Sequence, residues 1–169
     1  MKILIATDGS EYSRNAVETG CKMLINENSD ILIKILSVYE EVPRTATEPF
    51  AVFSEFVYEM EKLGREQATK FVNDAENLIK EKYENSYLEL TGKTVKGYAG
   101  RTIVEEAEEW EADVIVVGSH GRGFWGRTFL GSTSDTVVHH APCSVLIVRK
   151  AETKANDSKD SAESPGSED

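Results

Sequence analysis

The sequence predicts an α/β fold in which five mainly parallel strands form an open sheet with helices on both faces. Three observations predict it. Short apolar runs rich in Ile and Val, such as Ile3 to Ala6 and Val114 to Val117, stop abruptly in turn residues, as strands buried on both faces do. Between such runs lie segments whose apolar residues recur at helical spacing. The two kinds alternate strictly along the chain, which implies right-handed crossovers and a parallel sheet.

The first strand, Ile3 to Ala6, ends in Thr7, Asp8 and Gly9. Ser10 then caps a helix whose Val17, Cys21 and Leu24 fall on one stripe, and Asn26 to Asp30 is its polar exit. Ile31 to Val38 is the second strand; the stretch from Tyr39 to Thr47, with Pro43, continues neither element. From about Ser54 to Tyr83 a long helix is predicted, with Phe56, Met60 and Leu63, then Ala68, Phe71, Ala75 and Leu78, as its apolar positions and Gly64 as its weak point. Tyr87 to Lys96 reads as a third strand interrupted by Gly92 and lying at an edge. Gly97 and Gly100 open a short helix with Ile103, Val104, Ala107 and Trp110 on one side, and Asp113 to Val117 is the fourth strand. After a glycine-rich loop, a helix from about Ser132 to His140 is stopped by Pro142 and leads to the last strand, Ser144 to Val148.

The 169 residues suit one domain over residues 1–149; residues 150–169 are acidic, hold no apolar side chain larger than Ala, and are expected to be disordered. Thirty acidic against nineteen basic residues give a net charge of -11, which repels nucleic acid and anionic membranes, so neither is an expected partner. Cys21 and Cys143 lack any paired motif and are expected as buried packing, and the opening apolar run is too short for a signal core or a membrane span. A cytoplasmic protein is the expectation.

The loop from Gly118 to Thr133 admits three readings. Gly121, Gly123 and Gly126 fit a dinucleotide fingerprint, but Gly126 and Gly131 weaken the helix it needs, and Val148-Arg149 offers no acidic ribose partner. Gly126, Gly131, Ser132 and Thr133 have P-loop spacing, with Ser132 where the lysine belongs. The third reading takes Gly118, Gly121, Gly131 and Ser132 together, spaced G-x2-G-x9-G-[ST] behind the fourth strand. The start of the last helix, at Ser132, would offer unpaired N–H groups and a favourable dipole to an anion.

In that third spacing the loop resembles the ATP-binding signature of the universal stress protein family. The likeness spans about residues 1–149, taking in Ile3 to Ser10 with Asp8, Ala112 to Gly118, and Ala141 to Val148. The long second helix and the acidic tail are additions, and Ser144 replaces an expected proline. The resemblance implies a Rossmann-like sheet in order 3-2-1-4-5 that binds ATP with Mg or Mn. It implies Asp8 near the ribose or a bound cation, the Val38 backbone at the adenine edge, and phosphates held by Gly118, Gly121, Gly131, Ser132 and Thr133. Val117 and Arg122 complete the expected set, and His120 and Arg127 are further loop candidates for phosphate contact; for His120 and Arg122 a solvated role is the alternative. Glycine at these positions permits both positive φ and close approach. The resemblance also implies a homodimer paired through the last strand. Separately, Phe124, Trp125 and Phe129 would be costly exposed in a polar loop and are expected to pack on a neighbouring surface, a dimer contact among the candidates, over stacking on adenine.

Asp8 has a plain alternative, capping the first helix with Ser10. His139 and His140 are adjacent and face apart, so a metal pair is not expected. No G-x-S-x-G, H-E-x-x-H or paired-cysteine motif is present, so dedicated catalytic residues are not expected. Three functions remain: an ATP-binding regulatory or stress-response protein with at most slow hydrolysis, a nucleotide-dependent enzyme of related fold, and a nucleotide-free dimeric interaction module.

Overall fold

A computed structural model describes residues 1–25, 30–40, 50–83, 88–121 and 130–149, the side chains of residues 50–54 excepted. The elements are β1 (Lys2–Ala6), α1 (Glu11–Leu24), β2 (Ile31–Tyr39), α2 (Phe50–Lys82), β3 (Leu88–Lys96), α3 (Ala99–Glu109), β4 (Val114–Gly118), α4 (Ser132–His140) and β5 (Ser144–Val148). The strands form one parallel sheet in the order β3-β2-β1-β4-β5, as expected.

Alternation along the strands divides the core. Ile3 and Ile5 of β1, Ile31, Ile33 and Ile35 of β2, and Val114 and Val116 of β4 pack against α1 and α2. Leu4, Leu36, Ile115 and Val117 turn the other way, toward Ile103 and Ala107 of α3 and Val137 of α4. On that second face the Glu106 carboxylate of α3, 5% exposed, takes ion pairs from Lys34 of β2 at 2.8 Å and Lys93 of β3 at 2.6 Å. Lys34 also lies 4.5 Å from the centre of the Trp110 ring. One helix is thereby tied to two strands at the edge side of the sheet.

The long second helix departs from its sequence reading. It begins at Phe50 instead of Ser54, and only its later turns cover the sheet, through Ala68, Val72, Ala75 and Ile79. Phe56, Met60 and Leu63, named with Ala68 and Ala75 as its apolar positions, are 55%, 43% and 56% exposed. Thirty-three helical residues reach about 50 Å, whereas the nine of β2 reach about 30 Å, so the first turns run past the strand ends. Gly92 does not interrupt β3, which pairs with β2 through it opposite Ile35. A β-carbon there would collide with Val72 and Glu76 of α2, so the glycine lets helix and strand close on each other. Trp110 caps α3 instead of lying within it, and Cys143 is only partly buried, unlike Cys21. Among the described residues no helix is long and apolar enough to cross a membrane.

Candidate functional site

At the carboxyl ends of β1, β2 and β4 the chain leaves a cavity of about 640 Å³. Three local structures build it.

The first is the turn between β1 and α1. Thr7 N donates to Leu36 O at 2.9 Å, holding the end of β1 to β2. Gly9 then takes φ +74°, which reverses the chain, and Asp8 Oδ1 accepts from Ser10 N at 3.0 Å. Ser10 Oγ accepts from Ser13 N at 3.1 Å and starts the helix. Asp8 therefore does shape the turn, as its plain reading held, while its second oxygen remains on the cavity side, 2.9 Å from where a β-carbon of Gly121 would stand. The open face of Gly9 is covered by the Phe71 ring, so α2 closes over this turn.

The second is the passage from β4 to α4. Ser119 N donates to Val148 O, and Ser119 O accepts from Gly131 N at 2.9 Å and from Ser134 Oγ at 3.0 Å. These bonds hold residues 119–121 against the start of α4, where a Gly131 β-carbon would stand 3.3 Å from His120 Cα. The His120 ring lies 5.4 Å from that of Tyr12, and its Nδ1 is 3.0 Å from Ser119 Oγ. Gly131 is the N-cap of α4 and supplies no side-chain cap. The first intrahelical bond is Asp135 N to Gly131 O, so the N–H groups of Ser132, Thr133 and Ser134 are the orphan donors of a helix start. They stand at the cavity wall.

The third is the end of β2 beneath α2. Ser37, Val38, Tyr39 and Glu40 face Gly64, Gln67, Ala68 and Phe71 across the cavity. Gly64 stands opposite the Tyr39 side chain, which a β-carbon would meet at an ordinary 3.5 Å.

Asp8, Val38, Val117, Gly118, Gly121, Gly131, Ser132 and Thr133, all expected from the sequence, line this one cavity. Arg122 lies outside the described residues, as do Phe124, Trp125, Arg127 and Phe129. Of the two freedoms that glycine permits here, Gly118, Gly121 and Gly131 do not use positive φ, which among the described glycines only Gly9 and Gly97 take. Gly118 is glycine for another reason, because its β-carbon would stand 2.9 Å from the Tyr12 carbonyl carbon and oxygen, and backbone does not yield. The sequence reading missed Ser37, Gln67, Phe71 and Ser134. For Ser37 a signal existed, a lone hydroxyl residue within the apolar run Ile35 to Val38.

Whether ATP fits can be tested on these features. A volume of about 640 Å³ lies inside the usual range for small-molecule sites, and a helix start supplies anion donors at one end. Gly121 leaves the wall beside Asp8 free of a side chain. The residues present fit a nucleotide. No group of three or more metal-ligating side chains gathers among the described residues.

The family model described as the universal stress protein family matches residues 1–149. A universal stress protein from Thermus aquaticus is 34% identical over 147 residues, covering 87% of this chain and 97% of its own. Among solved structures, hypothetical protein MJ0577 superposes with a TM-score of 0.71 at 26% identity, over 90% of this chain and 97% of that one. A universal stress protein family protein from Arabidopsis thaliana, solved with AMP bound, shares the fold with a TM-score of 0.64 at 19% identity, over 94% and 97% of the two chains.

Proposed function

The chain belongs to the universal stress protein family, and on that premise we propose that it is a regulatory protein that holds ATP in the cavity at the ends of β1, β2 and β4. The observation that carries the reading is the convergence on one cavity of the orphan N–H groups of α4, the side-chain-free wall at Gly121 beside Asp8, and the end of β2. In this reading the phosphates lie at Gly131, Ser132 and Thr133, where the helix dipole and N–H groups favour negative charge. The base lies against Val38, and Val117 and Gly118 form the floor between. Arg122 joins the proposal by its place directly after Gly121. A divalent cation, Mg or Mn, would be held by phosphate oxygens with Asp8, and would supply charge neutralisation there.

Ser132 occupies the place of a P-loop lysine, so the site favours holding ATP over rapid turnover. Residues 1–149 form the nucleotide-binding unit, with residues 150–169 a tail beyond it. A cytoplasmic homodimer belongs to the same proposal. β5 is an edge strand with Val145, Leu146 and Ile147 only partly buried, which a second copy paired along that edge would cover. Light scattering at twice the chain mass is the expected result for that pairing, and a monomer at high concentration removes it.

The nucleotide reading is tested by denaturing purified protein and identifying any released ligand by chromatography and mass, with calorimetric titration of Mg-ATP beside it. About one adenine nucleotide per chain is expected. If none co-purifies and Mg-ATP gives no binding heat, the reading fails and the interaction module replaces it.

A further inference from the structure

In β2, Ile31, Ile33 and Ile35 point to the α2 side, and by alternation so does Ser37. Ser37 is 1% exposed. A hydroxyl buried without a hydrogen bond costs free energy, so each one calls for a reason. Among the described residues the Ser37 hydroxyl has no partner, although every side-chain nitrogen or oxygen sealed from solvent there has one. It is therefore not sealed: the little surface it keeps opens on the cavity, which Ser37 lines. Its neighbours do not satisfy it. Ala68 and Phe71 carry no hydrogen-bonding group, and the Thr7 hydroxyl donates to that of Ser13. Tyr39, Glu40 and Gln67 surround the same end but remain in contact with solvent.

We infer that the Ser37 hydroxyl is a ligand-binding group, hydrogen-bonded to the nucleoside part of the bound nucleotide. The inference rests on the adenine-nucleotide reading above. The sheet order sets the part of the ligand involved. β1 separates β2 from β4, which puts Ser37 roughly 10 Å from the strand that leads to α4. Phosphates at the start of α4 thus leave Ser37 within reach of the sugar or base and not of the phosphate chain.

Ser37→Ala and the similar-sized Ser37→Cys, titrated calorimetrically with ATP and with AMP beside the wild type, test this. The expected result is a Kd raised about three- to tenfold for both nucleotides, the effect of one neutral hydrogen bond. The ligand-free unfolding midpoint is not lowered, because the hydroxyl has no partner among the described residues. Unchanged affinities in both variants, with the wild type binding, overturn the inference alone. A loss for ATP without one for AMP overturns the assignment to the nucleoside. A wild type that binds neither nucleotide overturns the adenine reading and this inference with it.

Discussion

Gly121 and Asp8 meet across the cavity wall so closely that a single methyl on the glycine would stand 2.9 Å from the aspartate Oδ2. The other Asp8 oxygen is held by Ser10 N at 3.0 Å, so the carboxylate can yield only by disturbing the turn that starts α1. Two segments more than a hundred residues apart in sequence are thus fitted to each other at the point where the ligand is proposed to lie.

Gly121→Ala is expected to weaken ATP binding about tenfold or more, because Asp8 must swing into the cavity. Gly121 is not in the left-handed region, so alanine is conformationally acceptable and the loss of stability stays below about 1 kcal/mol. Calorimetry paired with urea unfolding checks both halves; an undiminished affinity removes Gly121 from the ligand wall.

Gly118→Ala is expected to behave in the opposite manner. The new methyl would press on the Tyr12 backbone, which has no rotamer to change, and a destabilisation of about 2 kcal/mol follows. A urea midpoint equal to that of the wild type would refute the packing role given to this glycine.

The contrast between these two glycines shows what the sequence carried. Spacing located both at the site, and strand ends at Val38 and Val117 were legible because buried runs terminate visibly. It could not tell a glycine that makes room for ligand from one that makes room for a helix, since that depends on what the fold brings opposite. The same limit explains Phe56, Met60 and Leu63. Periodicity identifies an apolar helix face but not how far the sheet beneath it extends. Gly92 misled for the converse reason, since its neighbour is Val72 of a helix and not a break in pairing. Ser37 and Ser134 gain their meaning only from partners, or the lack of them, in three dimensions.

Glu106 makes stability depend on acid. Burial pushes its carboxyl up, but the hydrogen bonds and charges of Lys34 and Lys93 outweigh this and hold it below the usual carboxylate range. A carboxyl lowered on folding stabilises fully above its unfolded pKa, and that contribution is lost as pH falls through the folded value. Glu106→Gln is expected to cost about 3 kcal/mol near neutral pH, because two lysines lose their partner. The difference from the wild type should shrink as pH falls below the ordinary carboxylate pKa of about 4.3. Thermal unfolding across that range reads the gap; a constant difference contradicts the assignment.

Cys21 is expected to resist thiol reagents in the native protein. Burial pushes its thiol up to about 12, with Lys82 lowering it slightly, so little thiolate exists at mildly alkaline pH. Cys143, raised as well but partly exposed, should react first and slowly. Counting thiols before and after denaturation checks this: two are expected unfolded, and rapid labelling of Cys21 in the folded state would contradict its burial.

The contact of Gly92 with Val72 and Glu76 has a consequence for how such a chain can change over time. It locks the later turns of α2 to β3, so any shift of that half along its axis would be felt through the whole sheet. The earlier turns, carrying Phe56, Met60 and Leu63 beyond the strands, meet β3 instead through a side-chain ion pair, Lys96 Nζ to Glu61 Oε1 at 2.6 Å. Substitutions should therefore be felt unequally along α2: a change before Gly64 alters a surface beyond the strands, while a change at Val72 or Glu76 shifts the helix against β3 and with it the wall that Gly64, Gln67, Ala68 and Phe71 give the cavity.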